Sequence, residues 1–390
     1  MTEHTATTSV VVIGGGYAGT MAANHLLVRP EIDVTLVNPR PAFVERIRLH
    51  QLVAGTGQGV ADYGELLNPH IHLTVDEATR IDAATRTVQL ASGGALQYDY
   101  LIYAVGSAAA APDVPGAEFA LPIAEFEHAT RLRERLGSLH PAAPVCVVGG
   151  GLTGIETAAE LAHERASVTL IAGPVLGPSL SRAGRRSVTR QLTRLGVDVI
   201  AGCFVTEVRG DAVVLSDGRV LASAATIWTA GFRVPPLAAR SGLATDELGC
   251  LLTDETLTSV DDARIVAAGD AASPSGQPLR MSCQAAIPLG AQAANTVLSR
   301  IVGEQPAVIN QAFVGQCVSL GRSLGTVQLS RTDDTPIGLY IGGRTAAAIK
   351  EFVCKGTVWG IAREGRKPGS AFWVRGGNRQ QRLRESVTVP

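Results

Sequence analysis

Two glycine-rich segments of one pattern constrain the fold of this chain more than any other feature. They begin at positions 14 and 149, 135 residues apart, and both fit G-x-G-x-x-G. Gly14–Gly19 follows the apolar run Ser9–Ile13, Gly149–Gly154 follows Val145–Val148, and an Ala-rich stretch comes after each. In such a setting the first glycine permits a tight turn, the second lets the backbone approach a pyrophosphate, and the third brings helix and strand together. The repeat therefore predicts two dinucleotide-binding βαβ units in one chain.

The rest of the chain extends both units and then changes character. The chain has 390 residues, more than a domain with a single hydrophobic core usually contains. Prolines at positions 112, 115 and 122 mark a connector, and the later apolar run Arg264–Ala268 ends in Gly269 and Asp270. A helix is predicted from Gln284 to Val302, after which Thr, Gly and β-branched residues mix. We predict an α/β fold with two Rossmann-like three-layer dinucleotide-binding domains and a smaller α+β C-terminal domain.

Composition and charge exclude several classes of protein. A formal net charge of -1 argues against broad electrostatic attraction to nucleic acid. No apolar run reaches the roughly 18 residues of a membrane-spanning helix. The N-terminus lacks the basic and apolar regions of a secretory signal, so we expect a cytoplasmic protein. The six cysteines are scattered without a C-x-x-C pair, which disfavours dithiol chemistry and zinc ligation.

In both units the carboxyl end of the second strand departs from the usual pattern, in which an acidic residue binds the adenosine ribose. The first unit has Asn38, whose neutral hydrogen bond contributes roughly 0.5–1.5 kcal/mol against roughly 1.5–3 for a charged one. Arg40 either reaches the pyrophosphate or adenine or is a solvated surface residue. The second unit has Ala172, and its site has either lost its nucleotide or uses nearby arginines for the 2′-phosphate of NADP. Those arginines, which otherwise form a solvated helix face, are Arg182, Arg185 and Arg186.

Four segments, in this order and spacing, resemble the pyridine-nucleotide disulfide oxidoreductase superfamily of two-dinucleotide flavoproteins. Besides the two glycine turns they are Tyr103–Ser107, similar to the family's A-T-G, and Ile265–Asp270. The resemblance is closest to type II NADH dehydrogenases and apoptosis-inducing-factor-like flavoproteins, whose W-T-A-G is similar to Trp228–Gly231. It implies a glutathione-reductase-like fold. The implied domains are residues 1–111 and 255–308 for FAD, 112–254 for NAD(P)H, and 309–390 as a C-terminal interface domain.

The resemblance also implies roles for single residues. Asp270 is expected to bind ribityl or phosphate hydroxyls of the flavin, and Glu156 to lie near the nicotinamide and the isoalloxazine. Family members place a helix beside the flavin where this chain has Phe43–Gln51, and on such a helix Arg46 and His50 would share a face while Arg48 points elsewhere. We expect Arg48 or His50 to line the catalytic cavity. Either would pair with Glu156 or stabilise negative charge on the reduced flavin, unless this helix is only a surface helix. The further cofactor contacts that the resemblance implies are Gly14, Gly16, Tyr17, Ala18, Gly19, Asn38, Arg40, Arg48, residue 77 (Glu77), Ala104, Gly106, Gly149, Gly151, Gly154, Gly231, Gly269 and Ala285.

The chain also departs from several relatives. Disulfide reductases carry a cysteine pair on the helix beside the flavin, and none lies between Asn38 and Gln51. Sulfide:quinone relatives use spaced cysteines near the flavin. Cys283 is close enough in sequence to Asp270 to matter, although a buried thiol is the favoured interpretation. The tail carries aromatic residues among basic ones, which favours either an interfacial membrane anchor or a soluble domain that covers the flavin or forms a homodimer. These aromatic residues are Phe352, Trp359, Phe372 and Trp373. Gly356 and Gly360 are expected to interrupt the tail's apolar segment.

The function that follows is hydride transfer from NAD(P)H to flavin, and then electron transfer to a quinone or another small acceptor. Two alternatives remain. One is a biosynthetic flavin oxidase or dehydrogenase that acts directly on a small organic substrate and has a degenerate nicotinamide site. The other is a regulatory, redox-sensing flavoprotein.

Overall fold

Two five-stranded parallel sheets form the frame of the molecule. The computed structural model describes residues 7–376 and 379–387. The first sheet has the order Ile265–Ala267, Tyr100–Tyr103, Ser9–Ile13, Asp33–Asn38 and His72–Val75. The second has the order Ala120–Pro122, Ala225–Trp228, Val145–Val148, Val168–Ile171 and Asp198–Ile200. Each glycine turn follows the central strand of its sheet, so the predicted pair of βαβ units and the α/β fold class are confirmed.

Helices cover these sheets and join them to the C-terminal part. Within the described residues the α-helices are α1 Tyr17–Leu26, α2 Leu49–Val53, α3 Tyr63–Leu66, α4 Phe126–Gly137, α5 Leu152–Leu161, α6 Arg182–Arg194, α7 Leu237–Arg240, α8 Cys283–Ile301, α9 Gly343–Arg366 and α10 Arg379–Val387. Short 3-10 helices occupy Arg46–Arg48, Ala117–Phe119 and Gly269–Ala271.

The remaining strands form small sheets around the frame. Three antiparallel sheets are three-stranded: Ala78–Asp82, Thr87–Leu90 and Ala95–Gln97; Val205–Val208, Ala212–Leu215 and Val220–Ala222; Gly315–Ser319, Gly325–Ser330 and Pro336–Gly342. Three strand pairs complete the set: Ala42–Val44 with Val60–Asp62, Ala108–Ala109 with Phe232–Arg233, and Leu251–Thr253 with Ala272–Pro274.

The first core is built around α1, all of whose residues are buried because α8 and α9 cover it. Small residues allow this close packing: a Cβ added to Gly290 of α8 would lie 2.2 Å from the carbonyl oxygen of Ala18. Val10, Val11 and Val12 are essentially inaccessible, as expected for a parallel strand covered on both faces. The first core is thus closed by the C-terminal helix as well as by its own elements.

Domain boundaries stay a prediction, but the packing of one segment bears on them. Val234, Leu237 and Leu251 pack into the first core, although the predicted division assigns residues 112–254 to the second domain. The second core instead gathers α4, α5 and the strands of the second sheet, together with Val318 and Leu320 of the C-terminal part.

Two local expectations are wrong. Phe43–Gln51 is not one helix: it runs through the strand Ala42–Val44, a 3-10 turn and the start of α2. Arg46 and His50 therefore do not share a helix face. In the tail, Gly356 and Gly360 do not interrupt the structure, because α9 continues over 24 residues. Burial of Cys354 and Ile361 outweighs the cost of about 1 kcal/mol for each helical glycine.

Within the described residues, no helix combines the length and hydropathy that crossing a membrane requires.

Candidate functional site

The first glycine turn combines two crowded glycines with one open position. Gly14 has φ of +102°, and an added Cβ would lie 2.3 Å from the carbonyl oxygen of Ala104. A Cβ on Gly19 would lie 1.8 Å from the carbonyl oxygen of Gly14. Gly16, by contrast, has no atom within 4 Å of its Cβ position, and no side chain caps the helix that starts there. The turn thus presents the positive end of α1 at an open surface, which fits a pyrophosphate.

The residues expected to bind the adenosine half lie together but are already engaged. Asn38 Oδ1 accepts a hydrogen bond from the Gly15 N–H at 3.0 Å, and its Nδ2 donates to the Arg40 carbonyl at 2.7 Å. The Arg40 guanidinium donates two hydrogen bonds to Glu127, both at 2.6 Å, and therefore points toward α4. Glu77 is exposed one residue beyond Asp76, whose N–H donates to the Asn38 carbonyl. Asn38 therefore supports the turn itself.

A second set of polar side chains lies where two neighbouring strands end. Ser107 donates to Asp270 Oδ2 at 2.7 Å, because Tyr100–Tyr103 and Ile265–Ala267 are adjacent and parallel. Arg46 Nη1 donates to Ser107 Oγ at 3.0 Å and lies 4.0 Å from Asp270 Oδ2. Gly106, with φ of +70°, and Gly269, with φ of +67°, make the two turns. Sequence reasoning missed Arg46 here because it assigned that residue to a helix face.

Three further residues expected near the flavin are buried. Tyr17 packs edge-to-face on Phe43 at 5.1 Å, and its hydroxyl makes no hydrogen bond within the described residues. Ala18 lies under Gly290, as described above. The Ala285 N–H donates to Ser282 Oγ at 3.3 Å, the capping bond of α8.

The second glycine turn repeats the first in detail. A Cβ on Gly149 would lie 2.4 Å from Thr229 Oγ1, and one on Gly154 would lie 1.9 Å from the Gly149 carbonyl oxygen. Gly151 has no atom within 4 Å, and no side chain caps α5. Gly231 has φ of +80° after the strand that ends at Trp228. This turn is therefore also shaped to accept a pyrophosphate.

The arginines near the second turn lie on α6. Arg182 and Arg186 are exposed, and Arg185 Nη2 approaches the Leu180 carbonyl oxygen at 3.5 Å. Ala172 is buried at the end of its strand.

A buried charged cluster joins the second unit to the C-terminal part. Glu156 of α5 accepts hydrogen bonds at Oε1 from the Ser319 N–H at 2.9 Å and pairs with Lys350 Nζ of α9 at 3.0 Å. His50 Nδ1 lies 3.8 Å from Glu156 Oε2, and His50 Nε2 lies 3.3 Å from Ser319 Oγ. Lys350 also donates to the Cys317 carbonyl at 3.3 Å. Glu156 and His50 are only 7% and 4% exposed.

The charges in this cluster follow from its surroundings. Burial lowers the pKa of His50 to about 4, so its imidazole is neutral at pH 7. Burial alone would raise the pKa of Glu156, but the charge of Lys350 and the hydrogen bond from the Ser319 N–H outweigh it and lower that pKa. Burial would lower the pKa of Lys350, yet Glu156 raises it. The cluster is therefore a carboxylate–ammonium pair beside a neutral histidine.

Arg48 does not join Glu156. Its guanidinium donates to Glu45 at 3.0 Å and to both carboxylate oxygens of Glu351 at 3.1 Å. The cation beside Glu156 is instead Lys350, 194 positions along the chain from it. Sequence reasoning missed Lys350 because it lies in the basic tail, where nothing distinguishes one lysine from the exposed ones.

The cysteines near this cluster are free thiols. Cys283 begins α8, Cys354 lies one turn beyond Lys350, and Cys317 lies in the strand Gly315–Ser319. Burial raises the pKa of all three, that of Cys354 to about 11. Protonated thiols are poor nucleophiles, which favours the interpretation of Cys283 as a buried thiol.

Comparison with known proteins places these features in a family. A family model described as pyridine nucleotide-disulphide oxidoreductase matches residues 8–290. An NADH dehydrogenase-like protein of Mycobacterium tuberculosis is 34% identical over 331 residues, which cover 77% of this chain and 82% of that protein. The type II NADH:quinone oxidoreductase of the same organism is 27% identical, with 76% and 74% covered. The fold is also similar to that of the sulfide:quinone oxidoreductase from Aquifex aeolicus, with a TM-score of 0.79, 20% identity and coverage of 98% and 96%.

Proposed function

The chain belongs to the pyridine nucleotide-disulphide oxidoreductase family, and from that premise we propose that it couples oxidation of NADH or NADPH to reduction of a quinone-type acceptor. It is an oxidoreductase that uses FAD and a nicotinamide nucleotide. The chemistry that bound FAD would supply is acceptance of a hydride from the nicotinamide and transfer of two electrons to the acceptor. Two similar proteins support a quinone as the acceptor, the type II NADH:quinone oxidoreductase by its sequence and the sulfide:quinone oxidoreductase by its fold.

The observation that carries the proposal is the buried pair of Glu156 and Lys350. Removing two charges from water is costly, and hydrophobic residues of similar volume would often serve stability as well. A pair retained at such cost, two residues beyond the Gly154 turn, is a candidate for function. Lys350 offers a positive hydrogen-bond donor to a carbonyl oxygen that gains negative charge, as a quinone oxygen does on reduction. Glu156 offers an acceptor to a carboxamide N–H of the nicotinamide.

The residues that would hold the two cofactors also fit. The open N-terminus of α1 at Gly16 and the polar group of Asp270, Ser107 and Arg46 would bind the phosphates and hydroxyls of FAD. The equally open turn at Gly151 would bind the nicotinamide nucleotide. Because this second turn keeps all its structural glycines, it supports a working nucleotide site over a degenerate one. Thiol chemistry finds no support in the protonated cysteines.

The test replaces Lys350 by Met and compares it with Lys355→Met as a matched control. Lys355 lies on the same helix, but its side chain is 74% exposed and pairs with Glu351 at 3.5 Å. In anaerobic stopped flow, Lys350→Met is expected to keep flavin bleaching by NAD(P)H within about threefold of wild type and to slow reoxidation by a water-soluble quinone at least tenfold. Equal reoxidation rates in the two variants, or no quinone reduction by wild type, would overturn the proposal.

Cytoplasmic location, homodimer formation and membrane contact stay predictions. In the tail Phe352, Trp359 and Phe372 are exposed, and Trp373 is half-buried against the first core.

A further inference from the structure

The interface between α2 and α5 holds a row of buried polar side chains beside its apolar contacts. Leu49, Leu52 and Ile155 belong to the second core. Between the same two helices lie His50, Glu156 and Glu160, none more than 7% exposed. A helix interface that served packing alone would be apolar, because a buried polar group costs free energy unless it is paired.

Glu160 is the unusual member of this row. It is 1% exposed, and its Oε1 accepts a hydrogen bond from Thr56 Oγ1 at 2.5 Å. Its Oε2 is buried and makes no hydrogen bond with the described residues. Within those residues no ion pair includes Glu160, whereas Glu156, one turn earlier, has Lys350. A buried carboxyl group without a cation and with one unpaired oxygen is not explained by stability.

The row runs from the surface to the charged cluster. Thr56 is exposed, just beyond the end of α2, and its hydroxyl contacts Glu160. Glu160 and Glu156 are four residues apart on one face of α5, a spacing of about 5–6 Å between Cβ atoms, which a single water can bridge. His50 meets Glu156 through Nδ1 and Ser319 through Nε2. Because a neutral imidazole has one donor and one acceptor nitrogen, His50 can pass a proton from one side to the other.

We propose that Thr56 and Glu160 form a proton path from solvent to the Glu156–Lys350 pair, with His50 beside Glu156 at the inner end of the path. The inference rests on the proposed function, which requires such a path. Reduction of one quinone to a quinol takes two electrons and two protons. The hydride of NAD(P)H supplies two electrons and one proton, so the second proton comes from water. The site that uses it is buried, and Glu160 receives that proton at Thr56 and releases it toward Glu156, one helical turn away.

The experiment uses Glu160→Gln in the FAD-loaded full-length protein, with Glu164→Gln as the matched control. Glu164 lies one turn further on and is exposed, so the control removes the same charge outside the row. A light pulse with deazaflavin as photosensitiser and oxalate as the sacrificial electron donor reduces the flavin without nucleotide or quinone, and an indicator dye follows proton uptake from weakly buffered solution. E160Q is expected to slow proton uptake at least fivefold, and E164Q to match wild type.

Two acceptors then separate proton delivery from electron transfer. E160Q is expected to slow reoxidation by a water-soluble quinone at least fivefold and to leave reoxidation by ferricyanide, which takes up no proton, unchanged. Thr56→Val, which removes only the hydroxyl, is expected to slow uptake in the same direction and keeps the test available if E160Q does not fold.

The outcomes distinguish the two proposals. Normal proton uptake in both E160Q and Thr56→Val would overturn the path, whether or not quinone is reduced. Slowing of ferricyanide and quinone alike, with normal proton uptake, would also overturn it, since that result describes a structural role. Slow proton uptake in a protein whose wild type fails to reduce quinone would support the path and overturn the proposed acceptor.

Discussion

At the residue scale, the buried Lys350 is expected to matter for stability as well as for chemistry. Replacing Lys350 by Met leaves the Glu156 carboxylate buried without its cation. Removing one partner of a buried pair costs about 3–5 kcal/mol, and we expect that loss in the free energy of unfolding from urea denaturation. Lys355→Met is expected to change it by less than about 0.5 kcal/mol, because that side chain is mostly exposed. Equal losses in the two variants would contradict the assignment of a buried pair.

His50 is expected to make stability depend on pH in a defined window. Its pKa falls from 6.5 to about 4 because of burial, so the unfolded chain binds a proton there that the folded chain does not. Its contribution is therefore fully present above pH 6.5 and is lost as the pH falls toward 4, by an amount on the order of 3 kcal/mol. His50→Gln is expected to flatten the pH dependence of the unfolding free energy across this window. His72→Gln, at a side chain 75% exposed, is the control, and an unchanged slope in His50→Gln would contradict the burial argument.

A substitution at Gly16 tests cofactor binding separately from folding. An added Cβ meets no atom within 4 Å, and φ of -79° is ordinary, so Gly16→Ala is expected to fold normally. If the FAD pyrophosphate approaches this backbone, the same methyl group blocks it and FAD affinity falls at least tenfold. Flavin absorbance per protein and the apoprotein melting temperature are the two measurements. Gly137→Ala, at an equally open position on α4, is the control, and full flavin content in Gly16→Ala would contradict the site.

Site residues could be predicted from the sequence only where the pattern that marks them lies within one short segment. The glycines of both turns and Asp270 are recognisable because strand, turn and helix are adjacent in sequence. Lys350 and Glu160 could not be recognised from the sequence, because their roles depend on the contacts that α5 makes with α9 and with Thr56. The resemblance implies either Arg48 or His50 beside Glu156: His50 lies there, whereas two other carboxylates, Glu45 and Glu351, bind Arg48.

At the element scale, α9 is held against the first unit by a buried polar contact. Glu364, fully buried, accepts hydrogen bonds from His25 Nδ1 at 2.6 Å and from Ser370 Oγ at 3.0 Å. The Asn24 side chain donates to the Leu66 and Ile361 carbonyls and so joins α1, α3 and α9. These bonds fix the helix that carries Lys350.

Glu364→Gln is expected to loosen the end of α9, because a neutral amide replaces the carboxylate acceptor of these bonds. Amide hydrogen exchange in residues 361–366 is expected to rise at least tenfold, while exchange in the sheet strand Ser9–Ile13 stays unchanged. Arg366→Gln, an exposed change on the same turn, is the control. Unchanged exchange in Glu364→Gln would show that apolar packing alone holds the helix.

Element prediction succeeded where burial and periodicity agree and failed where tertiary contacts decide. The runs Ser9–Ile13 and Val145–Val148 are buried strands with the expected bounds. The segment after Asn38, where the resemblance implies a helix, pairs as a strand with Val60–Asp62 before it turns into α2. The glycines of α9 are tolerated because the helix packs on α1 and α3.

At the scale of the whole molecule, three parts converge on one place. The glycine turn of the second sheet leads into α5 and Glu156, α2 brings His50 from the first unit, and α9 brings Lys350 from the C-terminal part. The repeated glycine turn predicts the two sheets. It does not predict the position of the C-terminal part, because no sequence pattern indicates which surface a C-terminal helix covers. The site exists only when all three are assembled.

The central claim is that both glycine turns bind working cofactors, and an anaerobic titration of the FAD-loaded protein tests it most directly. Wild type is expected to lose its flavin absorbance with one equivalent of NADH or NADPH. Gly151→Ala, whose added Cβ meets no atom within 4 Å, is expected to keep its FAD and to lose bleaching at that concentration. Failure of both nucleotides to bleach the wild-type flavin would contradict the account.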